Sequence, residues 1–124
     1  MTTAYWCVLA ATILPYIFTA VAKAGAKGYN NAKPRDFQER LEGWRRRAHW
    51  AHLNNFEAFP PFAAAVIIAH LANAPQERVD MLAIAFILFR VLHGVFYIAN
   101  IHWMRSLVWF GAIGSVVGLF TVSA

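Results

Sequence analysis

From Thr3 to Ala22 the chain runs for about 20 residues without a charge, TAYWCVLAATILPYIFTAVA. At about 1.5 Å per residue, a helix of that length crosses a hydrocarbon core of about 30 Å. Lipid offers the backbone no hydrogen bonds, so only helices and closed barrels span it. Three further apolar runs follow, at about 48–72, 81–101 and 106–122. The composition agrees: 60% of the residues are hydrophobic and 14% charged. Soluble domains run at about 45–50% and 25%. An ordinary soluble globule is excluded, and so is a disordered chain, which needs low hydrophobicity. The expected fold is all-α: an integral membrane four-helix bundle, a single domain over 1–124.

Ala20-Val21-Ala22 resembles a signal-peptide cleavage site, but no Lys or Arg precedes Lys23. A signal peptide needs a positive start, so the first run is expected to stay as a helix. Pro15 is expected to kink it, which membrane helices tolerate when neighbours satisfy the freed carbonyl. Cys7 is the one cysteine, so no intrachain disulfide forms, and it reads as a small apolar residue.

Between the first two runs lies a polar loop, 23–47, rich in turn residues: Gly25, Gly28, Asn30, Asn31 and Pro34. Its segment from Phe37 to Arg47 reads as the start of a helix. The loop holds Lys23, Lys27, Lys33, Arg35, Arg40, Arg45, Arg46 and Arg47 against Asp36, Glu39 and Glu42. That excess is the whole of the +5 net charge, because the remaining charges cancel. Such basicity in one loop marks the cytoplasmic side of a membrane rather than a nucleic-acid surface. Both termini are then expected on the non-cytoplasmic side, and no nucleic-acid partner is expected. Tyr29, Trp44, Trp50 and Trp103 fit an interfacial aromatic belt. In the last run, Gly114 and Gly118 form a GxxxG pattern that favours close helix packing.

A charge near the centre of a membrane span costs about 2.5–3.5 kcal/mol on insertion scales, so it faces protein or a wet cavity. Arg47, Asn54 and Glu57 fall on one face of the second span at helical spacing. Arg90, His93 and Tyr97 do the same on the third, and Arg105-Ser106 opens the fourth. Two compatible readings follow. One is an ion-pair network between helices, with Glu57 neutralised by an arginine. The other is a pocket for a charged ligand, with cations for carboxylates and Glu57 for an amine. Pro60-Pro61 should bend the second span. His49, His52 and Glu57 can be drawn as metal ligands, but a metal site needs tighter geometry and a second shell, and none is expected.

These motifs resemble the MAPEG family, the membrane-associated proteins of eicosanoid and glutathione metabolism, and its bacterial members most. One stretch is Arg47-Ala-His-Trp-Ala-His52-Leu-Asn54-Asn-Phe-Glu57, followed by Pro61-Phe62. The other is Arg90-Val-Leu-His93-Gly-Val-Phe-Tyr97, followed by Arg105-Ser106. The resemblance covers essentially the whole chain. It implies a homotrimer in a bacterial inner membrane, with glutathione as co-substrate between protomers near the cytoplasmic face. Arg105 and Ser106 would be catalytic, beside the glutathione sulfur. Arg47, Asn54, Glu57, Arg90, His93 and Tyr97 would bind substrate. The implied activity is that of a glutathione transferase or peroxidase, whose lipophilic second substrate arrives from the lipid. The sequence departs from the pattern at Trp50 and Leu53, where family members carry arginines; Lys23, Arg45, Arg46 and His49 are candidate substitutes. A non-catalytic trimeric binding or scaffold protein of the same fold is the alternative. A small multidrug transporter is a lower one, since such proteins carry a membrane Glu in the first span and this chain does not.

Overall fold

In the computed structural model, which describes residues 1–124, the chain forms five helices and no strand. Four are long: α1 (Thr3–Lys23), α3 (Gly43–Leu71), α4 (Gln76–Ile98) and α5 (His102–Ser123). The fifth, α2 (Pro34–Glu39), lies in the basic loop. Helices α1, α4 and α5 are long and apolar enough to cross a membrane. Helix α3 has 29 residues yet falls short of that apolarity. His49, His52, Asn54, Asn55, Glu57 and His70 lower its hydropathy. In place of four apolar spans there are three apolar helices and a longer polar one.

The helix expected from Phe37 to Arg47 is broken. Pro34 starts α2 instead, where its fixed φ suits a first helical turn. Gly43 then takes φ +62, a left-handed angle that glycine adopts without strain, and α3 begins there. Helix α3 runs unbroken through Pro60 and Pro61. Two basic residues of the loop close helix ends. Arg45 Nη1 donates to Ala22 O at 3.2 Å and to Ala24 O at 2.5 Å, at the end of α1. Arg47 Nε donates to Ile98 O at 3.1 Å, at the end of α4. A cation suits the negative end of a helix dipole.

Both tight links use asparagine in the left-handed position. Asn73 (φ 55) ends α3, where Ala74 N–H donates to Ala69 O and Asn73 N–H to His70 O. Asn100 (φ 62) ends α4 with the same pair of bonds, Ile101 to Phe96 and Asn100 to Tyr97. This double bond pattern satisfies carbonyls that a helix end otherwise leaves free. It also turns α4 back into α5 within a few residues.

Helix α1 packs on α3 and α4, while α5 packs on α4 and α3. The core is small-residue-rich, with Ala4, Ala11, Ala65, Ala69, Ala83 and Ala112 around stacked Phe62 and Phe86 rings 3.9 Å apart. Small side chains let helices approach closely where water gives no driving force between them. The closest approaches lie at Gly94, against the Phe18 ring, and Gly111, against Phe89. In the GxxxG pair only Gly118 packs, on Leu82, and Gly114 faces open space. Close packing within the chain is thus carried mainly by glycines outside that motif.

Candidate functional site

Helices α3, α4 and α5 meet toward the end of the molecule that carries the basic loop, and their polar stripes converge there. Asn54 lines three adjoining pockets. The first, about 330 Å³, is a groove formed by Asn54 of α3, His93 and Tyr97 of α4, and Arg105, Ser106, Trp109 and Phe110 of α5. The second, about 130 Å³, runs inward past Glu57 and Arg90 to Phe86. The third, about 350 Å³, opens outward between Trp50, Leu53, Asn54, Glu57 and Tyr97. Asn54, Glu57, Arg90, His93, Tyr97, Arg105 and Ser106 thus lie around these adjoining pockets. Arg47 does not: it lines none of the three and is held on the end of α4.

Arg90 is the most deeply placed charge, at 1% exposed. Its Nε donates to Asn55 Oδ1 at 3.0 Å and its Nη2 to Asn54 Oδ1 at 2.5 Å. Two neutral amides, rather than a carboxylate, hold the guanidinium. The chain's one ion pair lies elsewhere, Arg40 with Asp36 at 3.3 Å in the basic loop. Glu57 is exposed on the surface of the chain and forms no ion pair. The expected Glu57–arginine pair is therefore absent in the chain: Arg90 instead turns its Nε and Nη2 to Asn55 and Asn54. Asn55, 4% exposed, is a site-building residue that sequence spacing did not single out. It donates to Ala51 O at 2.9 Å, which orients its oxygen toward Arg90. The signal was the Asn54-Asn55 doublet: neighbours on a helix face different ways, and here both reach the same arginine.

His93 is 3% exposed, and its Nδ1 is buried with no hydrogen-bond partner. Buried polar atoms are rarely left so, and an orphan in a groove calls for a ligand or a water. The Tyr97 ring stands edge-on to His93 at 5.6 Å, and the Arg105 guanidinium lies over the Tyr97 ring at 4.4 Å. That cation–π contact fixes where Arg105 sits while leaving its donors for other work. Ser106 is exposed beside it.

The residues at the altered positions face the outer pocket. Trp50 lies 6.1 Å from Tyr97, with the Arg46 guanidinium 5.2 Å above its ring. Lys23, Arg45, Arg46 and His49 line none of the three pockets, so Arg90 and Arg105 are the only cations there. His49 and His52 are occupied as well. His49 Nδ1 faces Gln38 Oε1 at 2.8 Å, and His52 Nδ1 faces Pro15 O at 2.8 Å. A family model described as the MAPEG family matches residues 3–124. Neither the curated proteins nor the solved structures provide a match.

Proposed function

Because the chain belongs to the MAPEG family, we propose that it is a membrane-bound glutathione-dependent transferase or peroxidase working as a homotrimer of four-helix bundles. It is an integral membrane protein, by its three apolar helices and its family. The observation that carries the functional reading is the groove in which Arg105, Ser106, Tyr97, His93 and Asn54 meet from three helices.

Glutathione carries a thiol, an ammonium and two carboxylates. The groove suits the thiol end. A free thiol ionises near pH 8.5, and only the thiolate is a strong nucleophile. Arg105, charged at any working pH, favours the thiolate, and the Ser106 hydroxyl donates a hydrogen bond to it. Glu57 suits the ammonium, and Arg90, steered by Asn54, suits one carboxylate. A second carboxylate finds no further cation in the protomer, and the site opens onto its outer face. A neighbouring copy would supply that charge and cover Glu57. Arg47 supports the site from the end of α4.

The thiolate attacks an electrophilic carbon of a lipophilic substrate, forming a C–S bond while the displaced group leaves with the electron pair. With a lipid hydroperoxide it attacks the outer oxygen. The O–O bond breaks, an alcohol leaves, and a second glutathione converts the oxidised sulfur to a disulfide with release of water. Trp109 and Phe110 give the groove an apolar wall for such substrates.

Turnover separates this function from its alternative. The purified protein is expected to conjugate glutathione to an aryl halide or to reduce a fatty-acid hydroperoxide, and Arg105→Ala to lose that activity while still folding. Glutathione binding with neither turnover would identify a non-catalytic binding protein of the same fold. Trp50 and Leu53, apolar groups beside Glu57, favour that second reading.

A further inference from the structure

On the neighbouring face of α3 lies a separate cleft of about 540 Å³, walled by α1, α2 and α3. Its charged end holds Lys23, at the end of α1, and Arg35 of α2. Neither is in an ion pair, since the chain's one such pair joins Arg40 and Asp36. Glu39 is the cleft's only acid, set against these two cations and two histidines.

Gln38 forms part of the lining although only 5% of it is exposed. Its Oε1 accepts from Thr19 Oγ1 at 3.1 Å and faces His49 Nδ1 at 2.8 Å. An amide oxygen only accepts, so the proton lies on His49 Nδ1. The Gln38 amide N–H groups are left with no partner in the chain. His52, through Nδ1, likewise donates to a carbonyl, Pro15 O at 2.8 Å. Donors and cations thus gather at one end; Lys23 Nζ donates to Tyr29 Oη at 3.3 Å, while Arg35 and the Gln38 amide N–H groups have no partner in the chain.

The other end is apolar. Tyr16, Leu53 and Phe56 line it and are exposed, with the Tyr16 and Phe56 rings edge-on at 5.6 Å. Tyr16 is two helical turns before Lys23, or about 10 Å deeper along α1. Lys23 ends a membrane-length helix, so the cleft runs from the membrane's charged surface into the hydrocarbon. A free phosphate would leave the apolar end empty, and a bare acyl chain would leave the donors unpaired.

We propose that this cleft binds an anionic phospholipid, with its phosphate on Lys23, Arg35 and Gln38 and an acyl chain along Tyr16, Leu53 and Phe56. Basic pockets at a membrane surface hold lipid headgroups in this way. The site shares Leu53 with the outermost of the Asn54 pockets but none of their polar residues, and it needs no glutathione.

The test is native mass spectrometry of the purified protein after exposure to equal amounts of phosphatidylglycerol and phosphatidylcholine. The unaltered protein is expected to retain phosphatidylglycerol in preference. Lys23→Gln/Arg35→Gln, with helicity unchanged by circular dichroism, is expected to lose that preference by about tenfold or more. Arg40→Gln, which removes a charge from the same loop but outside the cleft, is expected to keep it. Phe56→Ser probes the apolar end and is expected to weaken lipid retention without changing the preference for anionic headgroups. Equal retention of both lipids, or equal retention by all variants, overturns the proposal. So does stabilisation by glycerol phosphate alone that matches the lipid, since the site would then hold a soluble anion.

Discussion

At the scale of single residues, the site depends on amides holding a buried cation. Arg90 has no carboxylate partner, so its solvation comes from Asn54 and Asn55. A hydrogen bond to a charged group contributes about 1.5–3 kcal/mol. Asn55→Ala is therefore expected to lower the stability of the purified protein by about that amount, read from its denaturation curve, though Asn55 lines none of the site's pockets. An unchanged curve would mean that water takes over the role of Asn55. Helical spacing made most of this site legible: Asn54 and Glu57, then Arg90, His93 and Tyr97, each share a face in the sequence. What spacing could not show was the partner of each group. Arg47 matches the stripe of Asn54 and Glu57, yet its side chain reaches the end of α4, a choice set by where that helix stops. Glu57 and Arg90 look like an ion pair on paper, but Asn55, one residue off the stripe, competes for the arginine.

At the scale of helices, glycine sets the spacing between α1 and α4. A Cβ built on Gly94 comes 1.9 Å from Phe18 Cζ, so a methyl group there cannot fit without moving the ring. Overpacking of this kind costs about 1–3 kcal/mol. Gly94→Ala is expected to lower the melting temperature, and Gly94→Ala/Phe18→Leu to recover part of the loss. Failure of the second change to help would place the strain elsewhere than at that ring. The runs of apolar residues revealed the long helices but located their ends less well. Helix α3 begins at Gly43 and α4 at Gln76, several residues before the apolar runs begin, because polar residues continue a helix whose core face is already set. The break at Arg40–Glu42 was hidden for a different reason: a charged stretch with good helix formers conceals the turn that Gly43 makes at positive φ. The GxxxG pattern was visible, but which glycines touch a neighbour depends on how the helices are rotated in the bundle.

At the scale of the whole molecule, charge and apolar surface are segregated. The basic loop carries the entire net charge, and the exposed residues of α1, α4 and α5 are dominated by large hydrophobics. Lys and Arg collect on the cytoplasmic side, so four crossings would put both termini on the other side. A C-terminal alkaline phosphatase fusion is expected to be active and a green fluorescent fusion dark; the reverse pattern would invert the orientation. The composition made the membrane legible, whereas the proposed assembly rests on a feature seen only in the fold. Glu57 lies exposed on the outer face of the chain with no ion-pair partner, beside a groove that is open outward. The site at that face is where thiol chemistry would take place. The most direct measurement is the ultraviolet difference absorbance of the thiolate as glutathione is added to purified protein at neutral pH. A saturable thiolate signal is expected, lost in Arg105→Ala while the helix content is unchanged. No signal from the unaltered protein at millimolar glutathione, or an undiminished one in Arg105→Ala, would contradict thiol activation by Arg105.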